Sequence, residues 1–121
     1  MEQTTVRITD LLLRTVIGGN GWEQRTQQDI VINVTYTYDA QAALQSDDMA
    51  DAVDYKRIKK RIIETVENSQ YHLIESLTKN ILSIVMDDAR VLTATVRIDK
   101  PGALRFAQSV STEMSSRRRK S

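Results

Sequence analysis

The chain has 121 residues, the length of one domain around one hydrophobic core, which excludes a two-domain enzyme. It contains no cysteine, which excludes disulfides, thiol nucleophiles and thiolate zinc sites and favours a reducing, cytoplasmic location. The formal net charge is only +1 and no apolar run reaches the length of a membrane span, so neither a nucleic acid nor a membrane is expected as a partner.

The first third of the chain predicts two strands. Residues 6–17 mix β-branched residues and leucine without a helical stripe, and they end at a glycine-rich turn, residues 18–21. Residues 29–38 show the two-residue period of a strand. The more apolar face of this second strand carries Ile30, Ile32, Val34, Tyr36 and Tyr38. A polar connection is predicted over residues 39–51.

The middle of the chain predicts two helices. Apolar residues recur at helical spacing over residues 55–66, with basic residues on the other side and Asp54 as the natural N-cap. A second helix is predicted to begin near Leu73, which places Glu75 in its first turn. The buried stripe of this second helix is Leu77, Ile81, Ile84 and Val85.

Two more strands are predicted at residues 91–99, stopping before Lys100, and at about 105–115. The element order is therefore ββααββ, in one domain over residues 1–116 with a basic tail at 117–121. Hairpins at both ends predict an α+β fold, an antiparallel four-stranded sheet with two helices packed on one face. The edges of such an open sheet must be covered, and pairing with another subunit is favoured.

Few residues indicate chemistry by pattern alone. His72 is the only histidine, so no metal site is expected, and a capping or solvent-facing role is favoured for it. The glycines at residues 18–21 lack the spacing of a phosphate-binding loop. Glu75 suits the first turn of any helix, and Lys100 suits a solvated position before a Pro-Gly turn. Pattern alone thus indicates an α+β domain without an assigned activity.

Four stretches of this sequence resemble the dihydroneopterin aldolase family, and the resemblance covers residues 6–115. They occur in the same order along the chain, and on the same predicted elements, as in that family. They are V-D-Y-K-R-I (residues 53–58), L-I-E-S-L-T (73–78), Glu23 before D-I-V-I-N-V (29–34), and V-R-I-D-K-P-G-A-L-R (96–105). The first strand ends in Val16, Ile17 and Gly18, where the aldolase branch of the family usually carries Tyr-His-Gly. The chain therefore looks more like the epimerase branch.

The resemblance implies an activity and an assembly. The assembly is the tunnelling fold (T-fold), in which four subunits close a barrel, two rings stack into a homo-octamer and the active sites lie between subunits. The activity is epimerisation of 7,8-dihydroneopterin triphosphate at C2' by retro-aldol and aldol acid–base chemistry, with no cofactor and no metal. The alternatives are an aldolase that releases glycolaldehyde and 6-hydroxymethyl-7,8-dihydropterin in folate biosynthesis, and a non-catalytic protein that binds a purine or pterin.

The resemblance also implies catalytic residues. Lys100 matches the catalytic lysine, which works by acid–base chemistry without a Schiff base. Tyr55 matches the tyrosine that the neighbouring subunit contributes beside the pterin. Glu23 matches a glutamate near the reacting side chain of the substrate.

Substrate-binding residues follow from the same resemblance. Glu75 matches the pterin anchor, whose carboxylate can accept two parallel hydrogen bonds from the 2-amino group and the ring N–H. The other residues expected at the pterin are Leu73, Ile74 and Val53. A triphosphate requires cations, and the unranked candidates are Arg14, Arg25, Lys56, Arg57 and Arg105.

Overall fold

The computed structural model describes residues 1–17 and 27–119, and over these residues the predicted α+β class is confirmed. The strands are β1 (Gln3–Ile17), β2 (Gln28–Asp39), β3 (Gln70–Tyr71), β4 (Val91–Pro101) and β5 (Ser109–Arg117). The helices are α1 (Gln41–Ser46), α2 (Tyr55–Glu67) and α3 (Ile74–Met86), with a 3-10 helix at Met49–Asp51. None of the helices in these two ranges is long and apolar enough to cross a membrane.

The strands form one sheet in the order β3-β1-β2-β4-β5, and the four long strands pair antiparallel as predicted. The prediction of a purely antiparallel four-stranded sheet is nevertheless wrong in one detail. The short strand β3 runs parallel to the end of β1, with Val16 opposite Gln70 and Ile17 opposite Tyr71. Two residues are too few to show a periodic pattern, so only the tertiary structure reveals this strand.

A bulge in β1 keeps apolar residues against the core on both sides of a register shift. Val6 and Ile8 pack against the core, and the register then shifts before Leu11, which also packs against it. At the shift, Asp10 has φ 55°, and its amide donates to Asn33 Oδ1 at 2.9 Å while Asn33 Nδ2 donates to Asp10 Oδ1 at 3.2 Å. The bulge explains why the first predicted strand shows no uninterrupted alternation.

Helices α2 and α3 pack on one face of the sheet and bury its apolar side. The Asp54 carboxylate caps α2 as predicted, accepting from the Lys56 amide at 2.9 Å. Both helices begin within one residue of their predicted starts, at Tyr55 and Ile74. The fully buried residues of the core include Ile30, Ile32, Val34, Ile62, Val66, Leu77, Ile81, Val85, Val96 and Ile98.

Two connections differ from their predicted form. The segment predicted as a polar connection over residues 39–51 holds α1 and the 3-10 helix, and α1 buries no residue, so it has no apolar stripe to detect. Strand β4 does not stop before Lys100 but continues to Pro101, because both residues pair with β5. The last strand begins at Ser109 rather than near 105, and residues 102–108 form the loop of the β4–β5 hairpin.

The C-terminal end of the described chain is tied to the sheet. Arg117 is the last residue of β5, and the Arg118 amide donates to the Leu92 carbonyl oxygen at 2.8 Å. The Arg118 guanidinium also donates to the carbonyl oxygens of Val91, at 2.9 Å, and of Met86. The first two residues of the segment predicted as a basic tail are therefore held against β4.

In the described part of the chain, both edges of the sheet present unpaired strand. β5 forms one edge, and on the other edge β3 covers only the last two residues of β1. Within residues 1–17 and 27–119, no other strand pairs with the outer side of β1. Edges of this length are templates for pairing with another chain.

Candidate active site

One end of the sheet brings Lys100 close to the start of α3. We call it the lysine end, defined by Ile17 at the end of β1, Lys100 near the end of β4 and Ile74 at the start of α3. Lys100 Nζ donates to the Ile17 carbonyl oxygen at 3.5 Å, and Gln28 Nε2 donates to the same oxygen at 3.1 Å. Tyr71 pairs with Ile17, so the segment that leads into α3 lies at this end as well.

The first turn of α3 combines an exposed carboxylate with a helix start that no side chain caps. Leu73 occupies the N-cap position and makes no side-chain capping hydrogen bond, where Ser, Thr, Asp or Asn is usual. Glu75 lies in this turn and is exposed, and no hydrogen bond or ion pair engages its carboxylate within the described chain. Leu73 is exposed and Ile74 is buried. The turn can thus donate backbone N–H groups and offer a carboxylate to the same ligand.

A buried threonine of α3, Thr78, and a half-buried threonine of β5, Thr112, fix this turn to the sheet. Thr78 Oγ1 donates to the Ile74 carbonyl oxygen at 2.8 Å and lies 2.6 Å from Thr112 Oγ1. Thr112 lies on β5, opposite Ile98 of β4, so the hydroxyls connect the start of α3 to the strand that pairs with β4. The positioning role of Thr78 was not predicted from the sequence. Its signal is a hydroxyl within the otherwise apolar stripe of α3.

Thr78→Val is expected to lower the free energy of unfolding by about 1–3 kcal/mol, because it removes both hydrogen bonds of a buried hydroxyl and takes a partner from half-buried Thr112. Valine has nearly the same shape, so no cavity contributes. Urea titration of the two proteins measures the difference. The matched control is Thr95→Val, since Thr95 pairs with Ser115 at 2.8 Å on the exposed face of the sheet. The control should change stability by less than about 0.5 kcal/mol, and equal losses would contradict the role of Thr78.

Val53 and Tyr55 lie at the start of α2, which we call the tyrosine end. The Tyr36 hydroxyl donates to the Val53 carbonyl oxygen at 2.9 Å. Burial raises the pKa of Tyr36 far above its ordinary value, and the nearby Tyr38 raises it further, so the hydroxyl stays protonated and can donate. The Val53 side chain is buried, whereas Tyr55 is 48% exposed and presents its ring at the surface.

The tyrosine end and the lysine end lie far apart, as two separate estimates show: the length of β4 between them and the length of helix α2. Tyr36 is opposite Ala94 in the sheet, and Lys100 lies further along β4 by about 20 Å at the usual rise of a strand. Helix α2 starts at Tyr55 and also spans about 20 Å at the usual rise of a helix, and its last turn accepts a hydrogen bond from Thr15 at 3.1 Å. One copy of the chain therefore cannot place Tyr55 beside Lys100.

The remaining predicted residues divide into three groups. Glu23 and Arg25 lie outside the described residues. Arg14 is already paired with Asp29 at 3.2 Å. The other candidate cations are exposed, at the start of α2 or on the β4–β5 hairpin: Lys56, Arg57 and Arg105. Within the part of the chain that the structure describes, no three acidic or histidine side chains are grouped to hold a metal ion.

Comparison with known proteins identifies related sequences and a related structure. A sequence model of the family described as dihydroneopterin aldolase matches residues 6–115. The dihydroneopterin triphosphate 2'-epimerase of Escherichia coli strain K12 is 46% identical over 110 residues, which cover 91% of this chain and 92% of that protein. The dihydroneopterin aldolase of the same strain is 29% identical over 105 residues, 87% of this chain and 86% of that protein. The crystal structure of the E. coli dihydroneopterin aldolase in complex with neopterin matches with a TM-score of 0.88 at 26% identity, covering 93% of this chain and 98% of that chain.

Proposed function

This chain belongs to the dihydroneopterin aldolase family, and we propose that it is the family's epimerase, which converts 7,8-dihydroneopterin triphosphate to 7,8-dihydromonapterin triphosphate. The observation that carries the proposal is the contrast within one bacterium, 46% identity to its epimerase against 29% to its aldolase. The end of β1 supports it, because buried Ile17 stands where the aldolase branch usually carries histidine.

The proposed site combines the lysine end of one copy with the tyrosine end of a second copy. The separation of about 20 Å between these ends, from the rise of β4 and α2, makes a second copy necessary. The open outer sides of β1 and β5 offer backbone groups through which copies can pair. A ring of four T-fold subunits, stacked twice into a homo-octamer, is the assembly that we propose on the family resemblance.

The lysine end supplies the groups that recognise the pterin ring. The Glu75 carboxylate accepts from the 2-amino group and the adjacent ring N–H, and the uncapped N–H groups at the start of α3 donate to the ring carbonyl oxygen. The exposed Leu73 side chain packs on the ring, and Ile74 holds the turn in the core. The second copy adds Tyr55 against the other side of the ring, with Val53 as its support. The neopterin bound to the related aldolase supports a ligand of this class.

The reaction breaks and remakes the bond between C1' and C2' of the substrate. A base removes the proton of the 2'-hydroxyl, the electrons of the broken bond move through C6 to N5 of the reduced ring, and N5 takes up a proton. The two-carbon fragment becomes an aldehyde, and re-addition of C1' to its other face inverts C2'. Lys100 carries out the proton transfers, assisted by the Tyr55 hydroxyl and by Glu23. The substrate ring itself accepts the electrons, so these steps require no metal or cofactor.

Incubation of the purified protein with 7,8-dihydroneopterin triphosphate tests the proposed activity. Accumulation of the 2' epimer, with little aldehyde released, is the expected result. Predominant release of 6-hydroxymethyl-7,8-dihydropterin would instead identify an aldolase, the second candidate, which the 29% identical relative favours. Binding without turnover of either kind would identify the non-catalytic alternative.

Mixing two inactive variants tests whether the site is shared between copies. We expect Tyr55→Phe and Lys100→Ala to be nearly inactive alone and to recover about a quarter of wild-type activity when co-assembled in equal amounts, since random neighbours form one intact site in four. The readout is epimerase activity of the mixed assembly after joint refolding. Mixing without refolding is the control and should give no recovery. No recovery after co-assembly would contradict a shared site.

A further inference from the structure

The loop that follows Lys100 carries an exposed aromatic residue on a disfavoured backbone. Phe106 is 97% exposed and has φ 71°, in the left-handed region that a bulky side chain rarely adopts. A ring in this position gains little from burial within the chain. Packing within residues 1–17 and 27–119 therefore does not account for Phe106, and such outliers direct attention to a functional role.

Backbone hydrogen bonds hold this loop in a defined shape. The Ala103 amide donates to the Lys100 carbonyl oxygen at 3.3 Å, and the Gly102 amide donates to that of Gln108 at 3.2 Å. Gly102 has φ 70°, which glycine adopts at no steric cost. The loop is thus anchored at Lys100 itself.

The exposed Phe106 ring contacts the side chain of Arg105. The Arg105 guanidinium carbon lies 5.2 Å from the centroid of the Phe106 ring, within the range of a cation–π contact. No carboxylate of the described chain pairs with this guanidinium. Arg105 is therefore oriented while its N–H donors face solvent.

The other described arginines are either engaged or distant from the lysine end. Four pair with aspartate: Arg14, Arg61, Arg90 and Arg97. Arg118 donates to backbone carbonyl oxygens. Arg7 is opposite Thr35, far along β1 from Ile17. Arg117 is opposite Thr93 at the other end of β4, and exposed Arg119 follows Arg118, whose amide donates to the Leu92 carbonyl oxygen at that same end. Arg105 is consequently the uncommitted arginine that the described chain presents beside Lys100.

Arg57 at the tyrosine end is the rival, but its surroundings are acidic. The pKa of the Asp88 carboxyl is lowered mainly by Arg90, and Arg57 contributes to the same lowering. The cleft that Arg57 lines also contains Asp54 and Asp87. Phosphate oxygens there would meet carboxylates as well as guanidinium groups.

We propose that Arg105 binds the triphosphate of the substrate and that Phe106 positions its guanidinium for this contact. The inference rests on the proposed function, because Lys100 must act at C2'. The triphosphate is attached at C3', the next carbon, so a cation on the loop directly after Lys100 is suitably placed. A planar guanidinium suits phosphate because it donates two parallel hydrogen bonds. The triphosphate is part of the aldehyde fragment, so holding it keeps this fragment in the site until C1' adds to it again. Arg105 therefore favours epimerisation over release of the aldehyde.

Kinetics of the assembled enzyme on two substrates test the inference. Arg105→Gln should lower kcat/KM for 7,8-dihydroneopterin triphosphate by at least about tenfold, as expected for losing hydrogen bonds to a charged group. It should change kcat/KM for unphosphorylated 7,8-dihydroneopterin by less than about twofold, because the lost contacts are absent there. Phe106→Leu should give a smaller loss in the same direction, and Arg7→Gln is the control that alters neither value.

Two further measurements complete the test. The fraction of turnovers that release the aldehyde fragment should rise in Arg105→Gln, and inorganic triphosphate should inhibit this variant less than the wild type. The inference would be overturned if Arg105→Gln lowered kcat/KM equally on both substrates or on neither. It would also be overturned if Arg57→Gln alone lowered kcat/KM selectively for the triphosphate. A wild-type enzyme that turns over neither substrate would refute the proposed function instead, so the two failures are distinguishable.

Discussion

Lys100→Ala is expected to lower kcat for 7,8-dihydroneopterin triphosphate by about 10²- to 10⁴-fold, the range that a positioned acid or base contributes. KM should change by less than about threefold, because the ring-recognising groups stay in place on α3. In the structure Lys100 contacts the Ile17 carbonyl oxygen, at the end of the strand that leads into the segment of Glu23. Steady-state measurement of kcat and KM at a fixed protein concentration checks the result.

The matched control for Lys100 is Lys79→Ala. Lys79 is an exposed lysine in the second turn of α3, and the proposed site does not use it. Its removal should leave kcat and KM unchanged. If Lys100→Ala raised KM while keeping kcat, the lysine would bind substrate rather than transfer protons. If both lysine variants behaved alike, the loss would reflect surface charge.

Glu75→Ala should raise KM and lower kcat/KM by at least about 100-fold, since two hydrogen bonds to a charged acceptor are lost together. The effect on kcat should be much smaller, because the carboxylate holds the ring equally in the ground state and the transition state. Direct binding of 7,8-dihydroneopterin should weaken by the same factor. Isothermal titration and steady-state kinetics measure the two quantities independently.

Two further variants sharpen the test of Glu75. Glu75→Gln keeps the size of the side chain but replaces one acceptor by an NH₂ donor, so it should recover little of the binding. Glu64→Ala removes an exposed carboxylate of α2 that the proposed site does not use, and it should have no effect. Full activity in Glu75→Gln would show that charge and bidentate geometry are unimportant at this position.

Much of the fold was predictable from the sequence because it is recorded in local patterns. The alternation around Ile32 and the stripe around Ile62 each follow from burying one face of a single element, and Asp54 caps the helix that follows it directly. Strand β3 and helix α1 left no such pattern, since one has two residues and the other buries none. Those elements exist because neighbouring parts of the fold hold them.

The candidate site was predictable only in part. The resemblance supplied roles for Lys100, Glu75 and Tyr55, and these roles stay predictions, as do the homo-octamer, the cytoplasmic location and the division at residue 116. The structure supplies placement, because Leu73, Ile74, Glu75 and Lys100 converge on one end of the sheet. Glu23 lies outside the described residues, so its position stays a prediction.

The sequence by itself determined the order of the long strands and helices, their buried faces and the cap of α2, because each depends on residues within a few positions of one another. Only the tertiary structure decided that Tyr55 and Lys100 occupy opposite ends of the sheet and that Thr78 reaches Thr112. These relations depend on strand register and helix packing between distant segments. A pattern along the chain cannot record them, because it contains no information on which distant residues become neighbours.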